Sequence, residues 1–99
     1  MDIKFFYQNS QRSYKHEAII VSFANLIRQL IDLPESLEVC LYPLEENVYG
    51  GIDVNRVNRI GLNIKLSYLD IPKVLTHELI HVHQKHIGLL KIDSRGMCY

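Results

Sequence analysis

Apolar residues recur along the chain with two different periods, and the changes of period divide it into elements. Between Ser13 and Asp32 they fall at helical spacing, which predicts an amphipathic helix that Ser13 caps and Pro34 follows. A second helix is predicted from Asp70 to about Ile87, with a proline in its first turn. The apolar positions of the first helix are Ile19, Ile20, Phe23, Leu26, Ile27, Leu30 and Ile31.

The segments between these helices have strand character. Leu37–Tyr42 and Ile60–Leu66 alternate with period two, the second most clearly, with one polar face. Lys4–Tyr7 is a short β-prone run, and Val48–Val54 resembles a strand with a glycine bend at Gly50-Gly51. The element order predicts an α+β fold, with an antiparallel or mixed sheet of three to four strands and two main helices.

Length and composition change this picture little. Ninety-nine residues suit one domain, here spanning 1–99. Eleven basic and eleven acidic side chains cancel, which gives no reason to expect a nucleic acid or membrane partner. The N-terminus lacks the features of a signal peptide, so we expect a cytoplasmic protein. Cys40 and Cys98 are expected to be free thiols rather than a disulfide framework.

Four of the five histidines fall between positions 77 and 86, inside the second predicted helix. His77 and His81 are four residues apart, so their side chains lie on one helical face and can reach one Zn²⁺ at about 2.0–2.1 Å. Glu78 projects to the side of this pair, where a carboxylate can act as general base on a metal-bound water. His83 and His86 lie about 240° and 180° round from His77, toward the core face or its margin and away from the metal.

Residues 77 to 84, HELIHVHQ, are similar to the HELxHVxQ signature of small zincin metallopeptidase domains of gluzincin type, found in bacteriophage and bacterial proteins. The match covers Val74–Gln84 well. The resemblance implies a zincin-like domain, one Zn²⁺ held by His77 and His81, Glu78 as general base, and a peptide or protein substrate. A phage-encoded protein would work in the host cytoplasm or the virion. The resemblance also implies an edge strand that pairs with the substrate, and this role would fall to Ile60, Gly61, Leu62, Asn63 and Ile64.

The chain departs from the gluzincin pattern because no glutamate follows Glu78, and gluzincins take their third ligand from a later glutamate. Three explanations stay open. The chain is a piece of a longer protein truncated at its C-terminus; the tail supplies Asp93, Cys98 or the terminal carboxylate; or the site has two histidines and is weakly metallated or completed by a neighbouring chain. His86 is a further candidate only if the helix ends before it.

Two functions therefore compete. The leading hypothesis is a zinc-dependent metallopeptidase that hydrolyses peptide bonds with Glu78 as base. The alternative is a catalytically incomplete structural or binding module of the same fold, without a proper third metal ligand. A protease acting on DNA-bound proteins is disfavoured because the chain has no basic cluster.

Overall fold

The described part of the chain contains two helices and four strands, joined by turns and short connections. This computed structural model describes residues 1–43, 50–52 and 58–88. In chain order the elements are β1 (Asp2–Tyr7), α1 (Tyr14–Arg28), β2 (Ser36–Tyr42), β3 (Gly50–Ile52), β4 (Arg59–Asn63) and α2 (Ile71–His86).

The three longer strands form a parallel sheet. The strand order is β1-β2-β4-β3, with β1 parallel to β2 and β2 parallel to β4. Only the three-residue β3 runs antiparallel, along β4. The predicted zincin-like sheet, with an antiparallel or mixed arrangement of its main strands, is therefore wrong, because the three longer strands are all parallel. Two helices and a sheet remain compatible with α+β in general. Alternation along a strand shows which residues face the core, but strand direction depends on the connections, and α1 makes the first connection a parallel crossover.

Helix α1 begins as predicted and ends earlier than predicted. The Ser13 side chain accepts a hydrogen bond from the His16 backbone N–H at 3.4 Å, as an N-cap does. The helix ends at Arg28 rather than Asp32, because the Leu30 N–H turns back to the Ile27 carbonyl at 2.8 Å. The apolar residues Ile20, Ala24 and Ile27 are buried, whereas Phe23, Leu26 and Leu30 are exposed.

Helix α2 carries the histidine motif and has clear boundaries. Pro72 lies in the first turn, where its missing N–H breaks no helical hydrogen bond. The Asp70 side chain accepts a hydrogen bond from Ser67 at 2.9 Å instead of capping the helix. Gly88 follows the last turn with φ of +82°, which confirms the predicted terminator. Neither described helix is long and apolar enough to span a membrane.

One core lies between the sheet and the two helices. The His83 Nδ1 atom lies 2.6 Å from the Asp32 carbonyl after the end of α1, and the His16 ring packs edge-on to Tyr68, just before α2. These contacts at both ends show that the helices run side by side in the same direction. The largest fully buried side chains are Ile20, Leu37, Val39, Leu41, Ile60, Leu62, Ile71, Leu75, Leu79 and Val82.

We expect Ile60→Val to lower the free energy of unfolding by about 0.5–1.5 kcal/mol, because it removes a methyl group from a fully buried side chain in β4. Ile80→Val is the matched control, since Ile80 is 44% exposed, and its effect should stay within about 0.5 kcal/mol. Urea denaturation of both variants measures the difference. Equal losses would contradict the placement of β4 in the core.

Candidate metal centre

Two imidazole nitrogens face each other on α2. The Nε2 atoms of His77 and His81 are 3.2 Å apart, and the ring planes are inclined at 86°. Two nitrogens bound to one tetrahedral zinc at about 2.0–2.1 Å would be about 3.3 Å apart. The separation therefore fits a shared metal ion without a change of helix geometry. The helix brings the two nitrogens to this separation because residues four apart lie on one face.

The two histidines differ in their surroundings. The side chain of His77 is 69% exposed, so one side of the pair opens to solvent. The Nδ1 atom of His81 is buried and has no hydrogen-bond partner among residues 1–43 and 58–88. Histidines that bind zinc normally donate this second ring N–H to a neighbouring acceptor. The pair is therefore open to a metal ion from the solvent side, but the described residues supply no acceptor for the second ring nitrogen of His81.

Glu78 lies beside the pair and is buried. Its Oε1 atom is 4.0 Å from the His77 Nε2 atom, and the residue is 5% exposed. Burial raises the pKa of the Glu78 carboxyl above its ordinary value, and the charges of His77 and His81 oppose this rise. A carboxylate with a raised pKa binds a proton more readily than an exposed one, which suits a general base.

Tyr42 is a neighbour of this site that the sequence did not suggest. Burial raises the pKa of its phenol, and the charges of Cys40 and Glu78 raise it further, so Tyr42 and Glu78 are within electrostatic reach. The ring lies over Gly61, where an added Cβ would come 2.9 Å from the Tyr42 Cε1 atom. Gly61 therefore admits the tyrosine ring. Gly61 is opposite Cys40 in the sheet, and nothing in the sequence indicated that these two strands pair in this register.

The candidate third ligands are not brought to the pair in the described residues. His86 lies 3.6 Å from the Asp32 carboxylate, on the α1 side of the helix. Because α2 continues to His86, this side chain is about 7 Å further along the axis than His81. Asp93 and Cys98 lie outside the described residues. Within the described ranges no group of three His, Cys, Asp or Glu side chains could hold a metal.

The strand expected to align a substrate lies inside the sheet. β4 pairs with β2 on one side and with β3 on the other, so its backbone groups at Ile60, Gly61 and Leu62 have partners in the sheet. The expectation that Ile60–Ile64 forms an edge strand is therefore corrected. Strand alternation cannot distinguish an interior strand from an edge strand when one face of each is buried. Among the described strands, β3 lies at this edge and packs against α2.

We expect His77→Ala and His81→Ala each to weaken zinc binding at least tenfold, because each variant leaves one imidazole to hold the ion. His86→Ala is the matched control and should leave the zinc affinity unchanged, since this histidine contacts Asp32. Isothermal titration with zinc of protein first treated with a chelator measures all three. An equal loss in His86→Ala would show that the pair on α2 is not the site.

The burial of Glu78 predicts a pH-dependent stability. The folded chain binds the Glu78 proton more tightly than the unfolded chain, so the free energy of unfolding falls as the pH rises from about 4.3 through the raised pKa. We expect metal-free Glu78→Gln to be more stable than the wild type at neutral pH. The difference should vanish below about pH 4, where the glutamate is protonated in both states.

Glu17 provides a control of opposite sign. Hydrogen bonds from Arg12 and Tyr7 lower the pKa of the Glu17 carboxyl, with Arg12 the larger cause. Glu17 therefore stabilises the fold above its ordinary pKa, and this contribution is lost as the pH falls. Glu17→Gln should be less stable than the wild type at neutral pH. Thermal denaturation across a pH series measures both variants, and a loss of stability in Glu78→Gln like that in Glu17→Gln would contradict the assignment of Glu78.

The resemblance to zincin metallopeptidases rests on residues 77 to 84 of α2. Comparison of the chain with models of protein families, with curated proteins and with solved structures found no match in any of the three. The geometry of His77, Glu78 and His81 is therefore the basis of the functional argument.

Proposed function

We propose that this chain is a zinc-dependent hydrolase of peptide bonds. The observation that carries the proposal is the 3.2 Å separation of the His77 and His81 Nε2 atoms, with a buried glutamate beside them. His77 and His81 would hold the ion. Zinc in such a site supplies a Lewis acid and a bound water whose pKa falls to about 7.

Glu78 has the properties that the proton transfer needs. Glu78 follows His77 in sequence, so its side chain leaves the helix about 100° round from that of His77. The carboxylate therefore lies to the side of the histidine pair and not where it would bind the same metal ion. Burial favours its protonated form, which lets it accept a proton from water and return it to the leaving amine. A base of this kind contributes about 10²- to 10⁴-fold to the rate.

The proposed substrate is an extended peptide chain lying beside α2. β3 is the described strand at this edge of the sheet, and α2 packs against it. An extended peptide can add to an edge strand through backbone hydrogen bonds, which requires no particular side chain. The His77 side chain is 69% exposed, so it is open to solvent. This arrangement assigns to β3 the alignment role first expected of β4.

A second candidate function is a binding module with the same histidine pair and no hydrolysis. The observation that favours it is that the described residues bring together two metal ligands, whereas catalytic zinc sites normally use three protein ligands. A site of this kind would hold zinc weakly or together with an atom from a partner. The two candidates differ in whether Glu78 changes a reaction rate.

We expect the zinc-loaded chain to cleave an unstructured protein, and Glu78→Gln to lower kcat/KM by about 10²- to 10⁴-fold while zinc affinity stays within a few-fold. Glu35→Gln is the matched control, because Glu35 lies in the connection between α1 and β2. Cleavage of casein by equal amounts of each protein, with zinc content measured in the same samples, gives both quantities.

The outcomes separate the two functions. Equal cleavage by the wild type and Glu78→Gln would contradict the role of Glu78 as general base. Stoichiometric zinc binding without any cleavage, in the wild type as in the variants, would favour the binding module. Failure of the wild type to bind zinc would contradict both proposed functions.

A further inference from the structure

The amino end of α1 brings a serine hydroxyl and a buried imidazole together. The Ser13 Oγ atom lies 2.6 Å from the Nδ1 atom of His16, three residues later in the chain. As the N-cap, the same Oγ atom accepts a hydrogen bond from the His16 backbone N–H at 3.4 Å. Because hydrogen bonds weaken beyond about 3.2 Å, the contact between the two side chains is the stronger one. Ser13 therefore does more than cap the helix.

The two contacts indicate which atom of the pair carries the proton. The Ser13 oxygen already accepts the backbone N–H, so its own O–H is available to donate to the imidazole. The Nδ1 atom of His16 is then the acceptor, and the ring proton lies on Nε2. A hydroxyl that donates to a neighbouring base in this way is the arrangement of an activated serine nucleophile.

Burial differs between the two side chains. His16 is 8% exposed, and its Nε2 atom is buried without a hydrogen-bond partner in the described part of the chain. The Tyr68 ring packs edge-on to the imidazole, with 5.2 Å between the ring centres, and limits its rotation. Ser13 is only half-buried. A buried imidazole is thus aimed, through Nδ1, at a hydroxyl that solvent can reach.

The first turn of α1 supplies hydrogen-bond donors beside this hydroxyl. The Glu17 N–H donates to the Ser13 carbonyl at 3.1 Å. The N–H groups of Tyr14 and Lys15 come before it, and the first N–H groups of a helix have no carbonyl partner within the helix. Such groups stabilise an oxyanion that forms next to them. The charge of the Glu17 carboxylate is balanced by Arg12 at 2.9 Å.

We propose that Ser13 and His16 form a second reactive site, which hydrolyses carboxylic esters through an acyl-serine. The Ser13 Oγ atom attacks the ester carbonyl carbon while the Nδ1 atom of His16 takes the hydroxyl proton. The bond from the carbonyl carbon to the leaving oxygen breaks, and His16 gives the proton to that oxygen. Water then attacks the acyl-serine with the same base, which releases the carboxylic acid and restores Ser13.

The surroundings favour esters over peptide bonds at this second site. In the described part of the chain no carboxylate contacts the Nε2 atom of His16, so an imidazolium would lack the stabilisation that a Ser-His-Asp triad provides. An alkoxide leaves a tetrahedral intermediate more readily than an amine does. Tyr14 is 70% exposed and Tyr68 is 47% exposed, and their rings offer apolar surface to an acyl group. The reaction needs no metal ion, so the proposal does not depend on the histidine pair of α2.

The test is labelling of the full chain with a fluorophosphonate, which forms a stable adduct with activated serines, in the presence of a chelator. Ser22 is the matched internal control, because it is an exposed serine of α1 with Asn25, not a histidine, three residues later. We expect Ser13 to react at least about tenfold faster than Ser22, since a general base contributes about 10²- to 10⁴-fold in enzymes. Tandem mass spectrometry locates each adduct.

Two variants separate reactivity from helix capping. Ser13→Asp keeps a good N-cap acceptor but has no hydroxyl, so it should lose the label at this position and keep its helix content. His16→Asn removes the base and should lower the labelling of Ser13 to the rate of Ser22. Circular dichroism confirms that each variant is folded.

Hydrolysis of p-nitrophenyl acetate tests the substrate class. Exposed histidines also react with this ester, so the relevant quantity is the part of the hydrolysis that the fluorophosphonate abolishes. We expect this part in the wild type and not in Ser13→Asp. The proposal is overturned if Ser13 and Ser22 of the wild type are labelled at the same rate, a comparison that needs no variant. It is also overturned if His16→Asn is labelled as fast as the wild type, or if the fluorophosphonate leaves the wild-type hydrolysis unchanged.

Discussion

The burial of one face of α2 against the sheet is the interaction on which the candidate site depends. Leu75, Leu79 and Val82 are fully buried, and they fix the rotation of the helix about its axis. Once that rotation is fixed, His77 and His81 must point to the side and Glu78 must lie at the margin of the core. The direction in which the histidine pair points is therefore set by hydrophobic packing on the neighbouring face of the helix. A rotation of α2 about its axis would turn both histidines together relative to the sheet, while the separation of their nitrogens is set by the four-residue spacing.

The same constraint explains which parts of the site could be predicted from the sequence. The spacing of His77 and His81 on a continuous helix is local information, and the structure places their nitrogens at 3.2 Å. The side on which His83 and His86 lie is local too, and both reach Asp32. The contact of Tyr42 with Gly61 joins two strands, and no periodicity within either strand encodes it.

The errors in the predicted fold have one physical origin. Alternation in β2 correctly indicates one buried face, whereas in β4 the predicted polar face is buried as well, since Gly61 and Asn63 are buried together with Ile60 and Leu62. A side-chain period of two is the same for parallel, antiparallel, edge and interior strands. Direction and neighbours depend on how α1 crosses from β1 to β2 and on where the short β3 pairs. Helix α1 shows the same limit. Its apolar stripe is wider than the face that packs, so Phe23, Leu26 and Leu30 remain exposed.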